Sequence, residues 1–182
     1  MTAEKKPGYD IRSILEEMKD EYWQGLSEAE EAGEEQQEYI TFILGGETFA
    51  FETVYASEVI RVPKLVKIPR VQELIAGVFN LRGEITAAMD IRPLLGLPQP
   101  AISATGRIIV VKSERFATGI LTEKVEGVTP LPVNGLEPVI TSLGGAPREY
   151  IRGQLNLDGR LVMMLDIVKL MNAPEIVVEH NP

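Results

Sequence analysis

The chain has 182 residues, 45% of them hydrophobic, with a net charge of −9 and no cysteine. That length suits one domain, or two small subdomains around a common core, and the lack of Cys excludes disulfides and thiolate chemistry. No apolar run approaches the roughly 18–20 residues of a membrane span, and the opening MTAEKKPGYD has no apolar core like that of a signal peptide, so a cytoplasmic protein without membrane insertion is expected.

The charge is unevenly placed. Residues 1–38 hold 12 acidic and 4 basic side chains, a balance of −8, whereas residues 39–182 hold 15 and 14, a balance of −1. Neither part offers the basic stripe of a nucleic-acid binder, and an anionic membrane surface is disfavoured for the same reason. Within the acidic arm, Ile11, Ile14, Leu15, Met18, Tyr22 and Leu26 recur at helical spacing, which predicts an amphipathic helix over about 11–26. Asp10 stands where an N-cap belongs and Gly25 near the end. SEAEEAGEEQQE follows, without apolar periodicity, and reads as a solvated linker. The helix is expected either to pack on the body as a lid or to dock on a partner.

From Tyr39 the texture changes to short apolar runs broken by Gly, Pro and charged residues roughly every 8–12 positions, the signal of an all-β domain. YITFIL is a strand, Gly45-Gly46 a turn, and TFAFE a second strand. RIIVVK, the turn Ser113-Glu114-Arg115 and FATGILT form a later pair.

The strongest internal signal is a duplication. IAGVFNLRGEITAAMDIRPLL (75–95) and IRGQLNLDGRLVMMLDIVKLM (151–171) share Gly77/Gly153, Asn80/Asn156, Leu81/Leu157, Gly83/Gly159 and Asp90/Asp166 at a constant offset of 76. GGETFAFE and KSERFATG also correspond, each with a Phe-Ala pair after a turn. Two copies are too few for a solenoid. Two similar small barrels are predicted, about 39–100 and 106–172, with a tail at 173–182. In each copy Asn-Leu-Xaa-Gly enters a tight hairpin, the following apolar strand is buried on both sides, and Asp90 or Asp166 caps the short turn behind it.

One asymmetry stands out. The hairpin tip is Asp158-Gly159 in the second copy, as turn chemistry prefers, but Arg82-Gly83 in the first. Arg gains nothing locally, whereas a guanidinium on a rigid tip suits recognition of a protein partner; the plainer reading is a surface Arg paired with Glu84 or another carboxylate. Catalytic signals are lacking. The single histidine, His180, sits close to the last residue, so the usual nucleophile–base pairs and zinc ligand sets have no members, and Gly45-Gly46 and Gly144-Gly145 read as turns rather than as a phosphate loop. No enzyme activity and no cofactor or metal are expected.

YITFILGGETFAFE, SEVIRV, KIPRVQELIAGVFNLRGEITAAMDIRPLLGLP, GILTEKVEGV and YIRGQLNLDGRLVMMLDIVKLM resemble, in that order, the CheW domain family, over about residues 39–172. GVFNLRGEI followed by MDIR is the most specific phrase. The resemblance implies two SH3-like five-stranded barrels sharing a hydrophobic core. It also implies a non-enzymatic adaptor in bacterial or archaeal chemotaxis, placed at receptor arrays on the inner face of the membrane. Such an adaptor bridges the cytoplasmic tip of a chemoreceptor (methyl-accepting chemotaxis protein) and the regulatory domain of the histidine kinase CheA.

Carried over by position, Arg82 matches the family's Arg at the Asn-Leu-Arg-Gly turn, Glu58 its acidic residue after the short helix of the first barrel, and Gly77 the Gly that opens the hairpin. An apolar groove between the barrels is expected to expose Val59, Val62 and Ile108, with the strand around Gly119 and Ile120 a candidate kinase contact. Ala56 and Ile60 depart from the family pattern, where a larger aliphatic and a polar or basic residue are expected. The acidic arm is also longer than the family's leader. The chain ends soon after the second copy, so a stand-alone adaptor is expected. The other expectation is a CheW-like scaffold of a non-chemotactic pathway, such as type IV pilus motility, with the arm choosing the partner.

Overall fold

A computed structural model describes residues 35–112, 116–139 and 148–176. The helix expected over 11–26, most of its acidic linker, the turn at 113–115, Gly144-Gly145 and His180 lie outside these residues.

The strands are β1 (Gln36–Leu44), β2 (Glu47–Glu52), β3 (Ala56–Arg61), β4 (Ile75–Leu81) and β5 (Glu84–Met89), then β6 (Arg107–Lys112), β7 (Ala117–Thr122), β8 (Lys124–Pro132), β9 (Ile151–Leu157) and β10 (Arg160–Leu165). Single 3₁₀ turns at Thr53–Tyr55 and Arg148–Tyr150 and one short helix, α1 (Ile167–Met171), complete the described elements. β1 starts within the stretch read as linker. Gln36, Gln37 and Glu38 are exposed, yet they pair with Pro132, Leu131 and Pro130 of β8, and a polar strand end carries no apolar signal. At the other end Ala173 is buried and Ile176 packs on the core, so the first residues of the expected tail belong to the fold.

The strands form two five-stranded sheets, ordered β8-β1-β2-β10-β9 and β3-β6-β7-β5-β4. Each rolls up until its outer strands approach. Val66, beyond β3, exchanges two backbone hydrogen bonds of 2.9 Å with Val78 of β4, and Glu137, beyond β8, does the same with Gln154 of β9. The result is the all-β pair of SH3-like barrels. The division of the chain between them is not sequential, however, which corrects the expected barrels at 39–100 and 106–172. The copies comprise β1–β5 and β6–β10, and each lends its first hairpin to the other's barrel: β1-β2 sit among β8, β9 and β10, and β6-β7 among β3, β4 and β5. Only the turn at 53–55 separates β2 from β3, and only Glu123 separates β7 from β8. Neither link makes a hairpin: the single residue Glu123 is shorter than the two-residue loop a hairpin needs, and the 3₁₀ turn at 53–55 leads β3 away from β2, so that in both copies the third strand continues into the other sheet. Each barrel consequently holds one parallel pair, β2 with β10 and β5 with β7, whose members come from different copies.

This exchange explains why so many strands read as continuously apolar. Ala50, Val162 and Met164 fill the interior of the barrel built on β1-β2, while Phe49, Phe51, Met163 and Leu165 on the same strands face the opposite way into a core shared with the other barrel. Ile108 and Val110 fill the interior of the barrel built on β6-β7; Ile109, Val111 and Ile120 join the shared core. The rings of Phe42 and Phe51 meet edge-on at 5.6 Å there, a favoured aromatic geometry.

The cross-strand registers Phe42↔Phe49 and Val111↔Thr118 also correct the alignment of the two Phe-Ala pairs. Phe49 corresponds to Thr118, two residues past Phe116. Phe49 is fully buried and Phe116 is exposed, so the matching dipeptides are not equivalent positions.

Candidate functional site

Arg82 occupies the first central position of the two-residue turn between β4 and β5, where Leu81 pairs with Glu84. Its φ is 51° and that of Gly83 is 95°; Asp158 and Gly159 in the other copy have 51° and 86°. Both turns therefore need two left-handed residues, the demand of a type I′ hairpin. Asn80 secures the conformation by accepting the Gly83 N–H on Oδ1 at 2.7 Å, and Asn156 treats Gly159 alike at 2.9 Å. The turn is thus fixed by Asn and Gly, and the residue between is free to vary. Arg there pays a steric penalty of about 1 kcal/mol that Gly would avoid.

The Arg82 side chain is 79% exposed, and its Nη2 donates to Oε2 of Glu58 on β3 at 2.9 Å. The structure thus brings together two of the residues singled out by position. The partner is Glu58 rather than the neighbouring Glu84. The pair crosses the seam where β3 meets the β4-β5 hairpin, and Leu81, Glu84, Lys112 and Ala117 complete a shallow recess around it. The other barrel has its own tie across the same seam, between Arg160 and Glu126 of β8. A cation–carboxylate clasp is therefore common to both barrels, and what is particular to the first is that its cation stands on the turn itself. An exposed pair of this kind contributes only about 0–1 kcal/mol to folding.

The remaining candidates separate by burial. Val59 is 41% exposed on β3, and Val62 packs partly against the barrel interior. Ile108 is fully buried in that interior and Ile120 in the shared core, which corrects their placement on a groove or contact surface: β6 and β7 are central strands, covered on both faces. Gly119 is buried beside them, and a Cβ there would lie 2.4 Å from Ile108 Cγ2 and 3.2 Å from the Phe79 ring. Gly77 is buried as well. A Cβ on it would stand 2.9 Å from the Val66 carbonyl oxygen, and one on Gly153 would stand 2.8 Å from that of Glu137. Both glycines let the bridge that closes each barrel come close, which places Gly77 at barrel closure.

Sequence reasoning missed Arg92. It is buried, and its guanidinium donates through Nε to Asp90 Oδ1 and through Nη2 to Asp90 Oδ2, each at 2.8 Å. Nη1 reaches Glu123 at 3.0 Å and the Pro100 carbonyl at 2.8 Å. Glu123 in turn accepts the Gly45 N–H at 2.7 Å. This network joins the end of β5 in one barrel to the β1-β2 turn of the other. Hydrogen bonding to Asp90 raises the Arg92 pKa further above its already high value, against the opposing effect of burial, so its charge is permanent. Asp166 does cap α1, accepting the Lys169 N–H at 2.9 Å. Asp90 likewise caps the turn behind β5, accepting the Arg92 N–H on Oδ1 at 3.1 Å, and holds the Arg92 guanidinium in addition. The signal was available: residue 92 is Arg where the second copy has Val168.

Among the described residues, no group of three or more His, Cys, Asp or Glu side chains is placed to hold a metal ion, and no helix is long and apolar enough to cross a membrane.

Comparison with known proteins agrees with this geometry. The chemotaxis protein CheW of Klebsiella aerogenes is 26% identical, over 80% of this chain and 87% of its own length. Protein PilI of Pseudomonas aeruginosa is 27% identical, over 63% of this chain and 64% of its own. The crystal structure of the scaffolding protein TtCheW from Thermoanaerobacter tengcongensis superposes with a TM-score of 0.68 at 23% identity, covering 78% of this chain and 91% of that one, and shares the fold. Residues 38–175, more than half of the sequence, match the CheW-like domain, and the chain belongs to that family.

Proposed function

We propose that this chain is a non-enzymatic adaptor of chemotaxis signalling. On this reading it works in the cytoplasm at receptor arrays and couples the cytoplasmic tip of a chemoreceptor to the regulatory domain of the kinase CheA. The observation that carries this reading is the exposed Arg82 guanidinium, steered by Glu58 on a turn whose backbone favours another residue. The ion pair with Glu58 at most offsets the local penalty, so stability gives no reason to prefer Arg there, and a planar guanidinium donor is suited to anchoring a protein partner. Coupling then acts as a shift of populations in the partners, with no chemical step on the chain. The test is Arg82→Glu, assayed by pull-down against a receptor tip and the CheA regulatory domain. The variant is expected to unfold within about 1 kcal/mol of wild type and to bind at least one partner about tenfold more weakly, a loss of about 1.4 kcal/mol. Unchanged binding to both would remove Arg82 from the coupling site.

The likeness to PilI, a relative not named as a chemotaxis protein, favours keeping a second reading: a scaffold of a pathway such as type IV pilus motility, with residues 1–37 choosing the partner. Deleting those residues and measuring affinity for candidate receptors separates the two. A changed preference supports the selector, whereas an unchanged preference with a lower melting temperature contradicts it.

A further inference from the structure

The stretch between β3 and β4 holds a second place where local physics is overruled. Arg61, Lys64, Lys67 and Arg70 recur every third residue, all exposed, with no acidic residue between them, a local basic run that the near-neutral balance of residues 39–182 conceals and that corrects the expectation of none. Removing their four charges from the −1 balance of residues 39–182 leaves −5, so they stand against an acidic remainder. None of the four forms an ion pair with a described residue; the arginines that do so are Arg82, Arg92, Arg152 and Arg160.

Two of the four sit where stability argues against them. Arg70 has a φ of 63°, a left-handed turn position better filled by Gly or Asn. Arg61 lies directly opposite Arg107 in the β3-β6 register, and like charges across a strand pair are unfavourable. Between the cations Val66 and Ile68, and just beyond Arg70 Val71, expose 59%, 41% and 39% of their surface.

The stretch is nevertheless held firmly. Val62 and Leu65 pack on the barrel interior, Val66 is tied to Val78 by two hydrogen bonds, and Leu74 is buried. A pre-formed surface of this kind loses little order on binding. In the other copy the bridging position is Glu137, and residues 130–139 contain no Lys or Arg, so this character belongs to one barrel only.

We infer that residues 61–71, with Arg107, form a docking surface for an acidic amphipathic helix of a partner protein. Its aliphatic stripe would lie on Val66, Ile68 and Val71, and its flanking carboxylates would meet the cations. The interleaving of aliphatic and cationic side chains matches the two faces of such a helix, and opposite charge would speed and orient its approach. An anionic bilayer fits less well, because the net charge of −9 repels it. The surface is separate from the Arg82–Glu58 clasp and does not depend on the coupling function proposed above.

The test titrates the full chain with a fluorescent synthetic helix of about 20 residues, apolar at positions three and four apart and glutamate on the flanks. Wild type and Arg82→Glu are expected to bind it alike, more weakly as salt rises. Lys64→Glu/Lys67→Glu/Arg70→Glu should bind at least tenfold more weakly, and the milder Lys64→Gln/Lys67→Gln/Arg70→Asn, which keeps a turn-compatible residue at 70, should follow the same direction. A peptide with Gln in place of Glu should lose affinity for wild type. The inference is overturned if wild type fails to bind the peptide, if the neutralised variant binds as wild type does, or if wild type sediments with phosphatidylglycerol vesicles while ignoring the peptide.

Discussion

Arginine serves three different ends in this chain, and surroundings decide which. Arg92 is buried between Asp90 and Glu123, Arg82 is exposed on a turn, and Arg70 is exposed without an ion pair to any described residue. Removing a cation from a buried network leaves its carboxylates desolvated, which costs about 3–5 kcal/mol. Arg92→Met should therefore lower the unfolding free energy obtained from urea titration by that amount, and the double variant Asp90→Asn/Arg92→Met should recover part of it. A single variant as stable as wild type would show that the network contributes nothing. Arg82 could be singled out from the sequence because the duplicated copy supplies a reference, Asp158, at the same turn position. Arg92 had the same kind of reference in Val168 but no turn chemistry to contradict, and its partner Glu123 is distant in the chain. Ile108 and Ile120 were misplaced because an aliphatic residue in a strand reads alike whether it lines a groove or a core.

At the scale of elements, the hairpins and their turns were legible, since Asn-Leu-Xaa-Gly and Gly45-Gly46 specify left-handed turns by residue type. The exchange of hairpins between barrels was not. β1-β2 and β6-β7 are both short apolar hairpins, so the periodicity is satisfied by either arrangement, and only the path of the chain through the 3₁₀ turn after β2 and past Glu123 after β7 makes the choice. The bridges that close the barrels were equally hidden, because Val66 and Glu137 stand outside any recognisable strand. Gly77 and Gly153 mark them only in retrospect. Gly77→Ala would push a methyl group to 2.9 Å from the Val66 carbonyl oxygen, and overpacking of this kind costs about 1–3 kcal/mol. Equilibrium denaturation of Gly77→Ala and Gly153→Ala should show similar losses. No loss in either would mean that the bridges are not tight.

Taken whole, the two barrels form one folding unit, because each is incomplete without a hairpin from the other copy and both share the Phe42–Phe51 core. Such a body suits an adaptor: rigid, with recognition carried by a few surface side chains that the fold does not need. That separation of stability from recognition is the central claim. It is tested most directly by receptor-dependent CheA autophosphorylation, reconstituted with wild type or with Arg82→Gly. Relief of the left-handed strain should leave Arg82→Gly at least as stable as wild type, by up to about 1 kcal/mol, while receptor control of the kinase falls at least tenfold. An Arg82→Gly protein that is equally stable and restores full receptor control would contradict the account.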